Sequence, residues 1–242
     1  MVSIRGPEQE RVRYRGGRAV LTRSSIGRTV LDLIAEGGVG SVTMRSLAER
    51  LGVTPRALYK VVADRADALM AASVLAQGEW QAPVLDPADW EASVAEFCQV
   101  ARAWYRRYPG ILTLSQSADV TDEVHPQMLL NNERCFAFLS AVGLSPADTL
   151  RAWELIIGTV AGFAEIEEWD ARTRRNVVAA HGEEQWQPTP ARLLESHSDL
   201  DLTHTHRILG ADTGTPEDRI DQRFADLVEM LVCWIDRRRP VA

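Results

Sequence analysis

The chain has 242 residues, 45% hydrophobic and 25% charged, which is ordinary for a globular protein and long enough for one large or two modest cores. No apolar run reaches the length of a bilayer span, and the N-terminus lacks the charged-then-apolar pattern of a secretory signal, so a cytoplasmic protein with no membrane partner is expected. Cys98, Cys135 and Cys233 lie far apart in apolar helical patterns, which predicts three buried thiols and excludes a disulfide framework or a CxxC metal site.

A net charge of −7 argues against a nucleic-acid partner until the chain is divided. Residues 1–65 hold 12 Lys and Arg against 6 Asp and Glu, a net of +6; residues 66–242 hold 15 against 28, a net of −13. A basic head on an acidic body suits a small DNA-reading module carried by a larger domain.

Residues 1–22 contain Gly6-Pro7, Gly16-Gly17 and Arg5, Arg11, Arg13, Arg15 and Arg18, with no helical periodicity. They read as a basic flexible arm, either a plain tail or a segment that follows phosphates or enters a minor groove. From Arg23 to Glu36, Ile26, Val30, Leu31, Leu33 and Ile34 mark an amphipathic helix stopped by Gly37-Gly38. Thr43 then caps a helix with Met44, Leu47, Ala48 and Leu51 on one face, and Gly52 ends it. Thr54 caps the next helix, Pro55 fills its first turn and Leu58 faces inward. Two short helices joined by a glycine-containing turn make a helix-turn-helix, whose second helix is shaped for a DNA major groove. Asp64 begins a longer helix carrying Ala68, Leu69, Ala72, Leu75 and Ala76, and Pro83, Asp86 and Pro87 form the joint to the body.

In the body, Trp90, Val94, Phe97, Ala101, Trp104 and Tyr108 recur at helical steps over Asp89–Arg107. Tyr108-Pro109-Gly110 breaks this helix, a short one runs through Leu114, and another spans Glu123 or Pro126 to Val142. Ser145-Pro146 opens a helix that is apolar nearly all round from Leu150 to Ile166, as expected of one covered on most sides. Residues 170–215 are charged and weakly periodic, a long loop with part of a helix near Pro190–Leu200. The last helix, Pro216–Arg238, carries a stripe of Ile220, Phe224, Leu227, Val228, Leu231, Trp234 and Ile235, with Arg237, Arg238 and Arg239 at its negative end. No strand pattern is present. The expected fold is all-α: an arm (1–22), a three-helix DNA-binding head with the helix-turn-helix (23–69) and a larger helical effector-binding and dimerisation domain (70–242).

These residues resemble the tetracycline-repressor-like (TetR-type) transcriptional regulators. The resemblance runs from Leu21-Thr22-Arg23 through Thr43–Val53 and Ala57-Leu58-Tyr59 to Asp64–Leu69. A softer likeness to the tetracycline-repressor type of C-terminal domain covers Tyr108-Pro109-Gly110, Ala141–Ser145, the helix around Gly158 and Gly162, and the last helix. It implies a homodimer that binds a palindromic operator in double-stranded DNA and releases it when a small-molecule effector enters the body. The controlled gene would encode an exporter or a biosynthetic or detoxifying enzyme. Carried over by position, Arg23 and Thr43 would hold phosphates and Arg45 would reach a guanine edge. Thr54, Arg56 and Tyr59 would face the groove, with Lys60 and Arg65 on phosphates. Val61-Val62 departs from the His-Phe-like pair usual after the tyrosine, which removes one polar contact.

For an amphipathic or aromatic ligand the candidates are Trp104, Tyr105, Tyr108, Leu112, Gln116, Phe136, Trp153, Ile157 and Phe163, each of which alone reads as core but which together supply aromatic walls with polar tips. Gly158, Gly162, Phe224, Leu227, Leu231 and Trp234 are assigned to dimerisation, two helices per subunit forming a bundle. His197, Asp199, Asp201, His204 and His206 fit no helix face or known ligand spacing, so no metal is expected. There is no Gly-rich phosphate loop, nucleophile motif or cofactor signature, so an enzyme is the weakest reading. A DNA-binding dimer without an effector is the nearer alternative.

Overall fold

A computed structural model describes residues 14–15, 18–19, 21–116, 124–181, 200–209 and 216–240. Ten α-helices are found among the described residues: α1 Arg23–Gly37, α2 Met44–Leu51, α3 Pro55–Leu58, α4 Arg65–Gly78 and α5 Trp90–Arg107, then α6 Ile111–Ser115, α7 Pro126–Ala141, α8 Pro146–His181, α9 Thr203–Leu209 and α10 Pro216–Asp236. The architecture is all-α. One detail escaped the periodicity: Tyr14–Arg15 pairs antiparallel with Arg18–Ala19, Tyr14 opposite Ala19. A two-residue ladder is too short to show an alternating pattern. Arg5, Arg11 and Arg13 lie outside the described residues.

Two compact units result, residues 1–80 with 108–129 and residues 81–107 with 130–242. The expected division at 69/70 falls inside α4, all of which belongs to the first unit, together with α6 and the first turn of α7.

The first unit is built on its caps. Thr22, Thr43, Thr54 and Asp64 each accept a hydrogen bond from the backbone N–H three residues on, satisfying a donor the helix leaves open. Gly52 closes α2 at φ 65°, a left-handed conformation that costs other residues energy. Ile26, Val30, Leu47, Leu58, Val62, Leu69 and Ala72 are buried beneath these helices. Val62 explains half of the Val61-Val62 departure, because it is a core residue. Where α1 crosses α4, a Cβ on Gly27 would stand 2.7 Å from the Ala71 carbonyl oxygen. Overpacking costs about 1–3 kcal/mol, against a gain of roughly 1 kcal/mol for alanine over glycine in a helix. Gly27→Ala is therefore expected to lower the urea midpoint; an unchanged or higher midpoint would show that the two helices separate freely.

In the second unit α8 is longer than its apolar pattern, running 36 residues to His181. Residues 170–181, expected as loop, continue the helix because Ala and Arg favour it without needing a buried face. The segment Pro190–Leu200, expected to be partly helical, lies outside the described residues except Leu200, as do His197 and Asp199. Thr203–Leu209 is helical instead, with His204 and His206 exposed on it. At the end of α10, Arg238 donates to the Trp234 carbonyl at 3.3 Å and Arg239 to that of Val142 at 3.2 Å, which meets the expected basic C-terminus. Cys98 and Cys135 are buried, and burial pushes both thiols up to about 12. Cys233 is exposed, contrary to expectation, because the apolar stripe of α10 passes beside it.

Candidate functional site

Two regions concentrate the chemistry, one in each unit. In the first, α2, the turn at Gly52 and α3 present a polar surface over a closed core. Arg45 is almost wholly exposed and leans on Glu49 at 2.9 Å, one turn along α2. Arg56 and Lys60 are exposed, and Tyr59, although aromatic, is 55% exposed at the end of α3. An exposed tyrosine beside two cations and two threonine caps costs apolar exposure that nothing in this unit offsets, and it matches a face that meets a polar partner. Thr43 and Thr54 use their hydroxyls as caps and remain at the surface.

Arg23 and Arg65 are placed differently. Arg23, at the first residue of α1, pairs with Asp67 at 2.5 Å; burial raises the Asp67 carboxyl, but the Ala63 amide and Arg23 together hold it below its usual range. Arg65, expected on a phosphate, donates from Nε to the Val42 carbonyl at 2.8 Å and from Nη2 to that of Val39 at 2.9 Å. It therefore fixes the turn before α2. Its partners are 23 and 26 residues away, beyond any local reading of charge.

Three residues expected around a ligand, Tyr108, Leu112 and Gln116, belong to this first unit. Tyr108 is buried, and its hydroxyl donates to Glu79 at the end of α4, which also pairs with Arg28 of α1. Beside them the His125 amide donates to Gln77 Oε1 at 2.8 Å. This polar cluster joins α1, α4 and the segments on either side of α6.

In the second unit a small apolar cavity of about 10 Å³ lies between three helices. Val94 and Phe97 come from α5, Cys135, Phe138 and Leu139 from α7, Trp153 and Ile156 from α8, and Leu85 from the joint. Trp153 meets Phe97 and Phe136 edge-on, each at 5.8 Å between ring centroids. Of the nine expected ligand residues, Trp153 lines the cavity and Phe136 closes on it. Ile157 is half-buried on the same helix, and Trp104 and Tyr105 meet edge-on at 5.1 Å. Phe163 packs on Phe224, with the Arg102 guanidinium 5.1 Å and 4.4 Å from the two rings. Val94, Phe97, Phe138 and Leu139 were legible only as core, because a cavity wall and a packed core carry the same residues.

The dimerisation set also divides. Phe224 and Leu231 are buried within the chain, whereas Leu227 and Trp234 are half-exposed. Gly158 and Gly162 are exposed, and a Cβ on either would meet nothing within 4 Å. Leu155, Ile166 and Trp169 stand exposed on the same stripe of α8, with Met230 exposed on α10. Large apolar groups clustered on a helix face in this way mark an interaction surface.

Residues 29–61 match the family described as bacterial regulatory proteins, tetR family. An HTH-type transcriptional regulator of Saccharopolyspora erythraea is 27% identical over 168 residues, 68% of this chain and 70% of that protein. The HTH-type transcriptional repressor DrrR1 of Streptomyces coeruleorubidus is 25% identical over 166 residues; the match takes 66% of this chain and only 59% of the repressor. In fold, the chain resembles the Streptomyces coelicolor TetR family protein ActR in complex with actinorhodin, with TM-score 0.67 and 20% identity over 89% of this chain and 95% of that one. It also resembles TetR from Acinetobacter baumannii, with TM-score 0.60 and 18% identity over 92% of this chain and the whole of that one.

Proposed function

We propose that the chain is a transcriptional regulator of the tetR family rather than an enzyme, and that it represses from a palindromic operator and is released by a small amphipathic or aromatic ligand. The observation that carries this reading is the pairing of an exposed Arg56–Tyr59–Lys60 face on a short capped helix with an aromatic cavity in the other unit. DrrR1 is named a repressor, and the ActR structure holds actinorhodin, which supports the same reading. The partners are operator DNA, an effector and a second copy of the chain, in the cytoplasm. Among the described residues no helix is long and apolar enough to cross a membrane. Its targets, on this reading, are genes for export, biosynthesis or detoxification.

Coupling follows from chain connectivity. α5 and α7 line the cavity, and both continue into segments of the DNA-binding unit, at Tyr108 and at Pro126–Leu129. A ligand that spreads α5 from α7 would shift those segments against α4 and α1 through Glu79, Arg28 and Gln77. Operator half-sites demand one spacing of the two recognition helices, and a ligand that fits the other spacing draws the population from DNA. Such coupling is typically about 1–3 kcal/mol, so release depends on differential affinity.

The dimer is assigned to the open faces of α8 and α10. A Cβ at Gly158 or Gly162 meets no described atom within 4 Å, so with Gly158→Leu and Gly162→Leu the fold should persist and gain helix propensity, while close approach of a second copy is blocked. Sedimentation should show monomer where the wild type is dimer; an unchanged dimer would move the interface elsewhere. Selection from random-sequence duplexes tests the repressor reading itself. An enriched inverted repeat is expected, and recovery of no consensus would refute specific operator binding.

A further inference from the structure

We propose that Arg65 is a positioning residue for operator reading, clasping the two ends of the helix-turn-helix together without meeting a phosphate itself, an inference that rests on the operator role given to this unit above. Arg65 is the first residue of α4, directly after the segment that runs from the Thr43 cap through α2 and α3 to Asp64. Its Nε donates to the Val42 carbonyl at 2.8 Å and its Nη2 to the Val39 carbonyl at 2.9 Å. Val42 is the residue just before that cap. The guanidinium therefore closes a loop whose whole content is the helix-turn-helix.

The clasped turn is where α2 takes its direction. Val39–Ser41 forms a single turn of 3-10 helix, the Val42 amide donates to the Val39 carbonyl at 3.3 Å, and Val42 is buried. Ser41 Oγ holds the same turn to the end of α1, lying 2.9 Å from the Leu33 carbonyl oxygen and 2.7 Å from that of Gly38. Ser46 Oγ reaches back from the first turn of α2 to the Ser41 carbonyl at 2.9 Å. α3 follows α2 through the short turn at Gly52. A tilt of α2 at its start is therefore carried to Arg56, Tyr59 and Lys60.

Geometry and charge both turn Arg65 inward. The edge formed by Nε and Nη2 is one of those with which arginine grips a phosphate in two parallel bonds, and here it holds two carbonyls. Asp64 and Asp67 flank Arg65 at the start of α4, the second of them paired with Arg23. A phosphate arriving there would meet two carboxylates. Lysine cannot reproduce the clasp: its ammonium carries the same charge but has no planar fork to span the two carbonyls.

The test compares Arg65→Lys and Arg65→Gln with the wild type on the selected inverted repeat and on a scrambled duplex, by anisotropy over a range of salt. Arg65→Lys, which keeps the charge, should lose about 10-fold or more on the inverted repeat and less than about 2-fold on the scrambled duplex. Arg65→Gln, which removes the charge, should lose at least as much on the inverted repeat yet keep the wild-type salt slope. A direct phosphate contact gives the reverse: Arg65→Lys close to the wild type, and a slope smaller by about 2 in Arg65→Gln, one cation from each head. Either result would overturn the proposal. So would variants that melt lower but bind the inverted repeat as the wild type does, at a temperature where circular dichroism shows them folded. If Arg65→Gln does not fold, the milder Arg65→Lys decides between the same outcomes. The wild type separates the two readings: if it prefers the inverted repeat and Arg65→Lys keeps that affinity, only the clasp fails; if it shows no preference, the repressor reading fails as well.

Discussion

Arg102→Ala is expected to destabilise the second unit by about 3–5 kcal/mol, the usual consequence of removing one partner from a buried ion pair. Arg102 is 3% exposed. Its Nε and Nη2 donate to the two oxygens of Glu167 at 3.0 and 2.5 Å, and Nη2 also donates to Asp221 at 2.8 Å. One side chain on α5 thus ties α8 to α10, between the rings of Phe163 and Phe224. Truncation would leave Glu167 mostly buried with Arg106 at 2.7 Å, whereas Asp221 is already 68% exposed and keeps Arg106 at 3.5 Å. Arg102→Met with Glu167→Met should recover most of the loss, because removing both charges removes the uncompensated one. Urea unfolding followed by tryptophan fluorescence measures both variants; equal stability of wild type and Arg102→Ala would contradict the assignment.

The same cluster sets a pH dependence. Burial raises the Glu167 carboxyl, but hydrogen bonds from Arg102 and Arg106 outweigh it and hold the group below the ordinary carboxylate range. A depressed folded-state value contributes stability that is present above the unfolded value and lost as pH falls through the folded one. Wild-type stability should therefore decline as pH drops below about 4.5, the ordinary glutamate value, and the doubly substituted protein should decline less.

Arg56→Ala is the second large effect, and it falls on DNA. Arg56 is exposed in the first turn of α3, behind the Thr54 cap and Pro55, so its direction is set by backbone that cannot fray easily. A bidentate arginine contact to a base edge is worth about 1–3 kcal/mol. Two heads on an inverted repeat double that to roughly 2–6 kcal/mol. Loss should concentrate at one base pair of each half-site. Lys60→Ala should weaken all sequences alike and flatten the salt dependence. A uniform loss from Arg56→Ala would return it to the phosphates.

The head was legible because its signals are local. Thr43, Gly52, Thr54 and Asp64 act within four residues of themselves, and a capping pattern states both the boundary and the atom that satisfies it. The carbonyl partners of Arg65 were not legible for the opposite reason. A cation at a helix start looks alike whether it faces solvent or reaches two carbonyls more than twenty residues away. The hydroxyl partner of Tyr108 was hidden in the same way, since Glu79 lies at the end of another helix. In the body, periodicity identified buried faces but could not distinguish Phe224, which is consumed inside the chain, from Leu155 and Ile166, which are left open.

The central claim is that the basic head reads a specific operator. Fluorescence anisotropy of the selected inverted repeat against a scrambled duplex, at 50 and 200 mM salt, tests it most directly. Arg23 and Lys60 from two heads amount to about four phosphate-neutralising cations, for which affinity should fall roughly 100-fold between those salt concentrations, with the inverted repeat preferred at both. Equal affinity for the scrambled duplex, or binding indifferent to salt, would contradict the account.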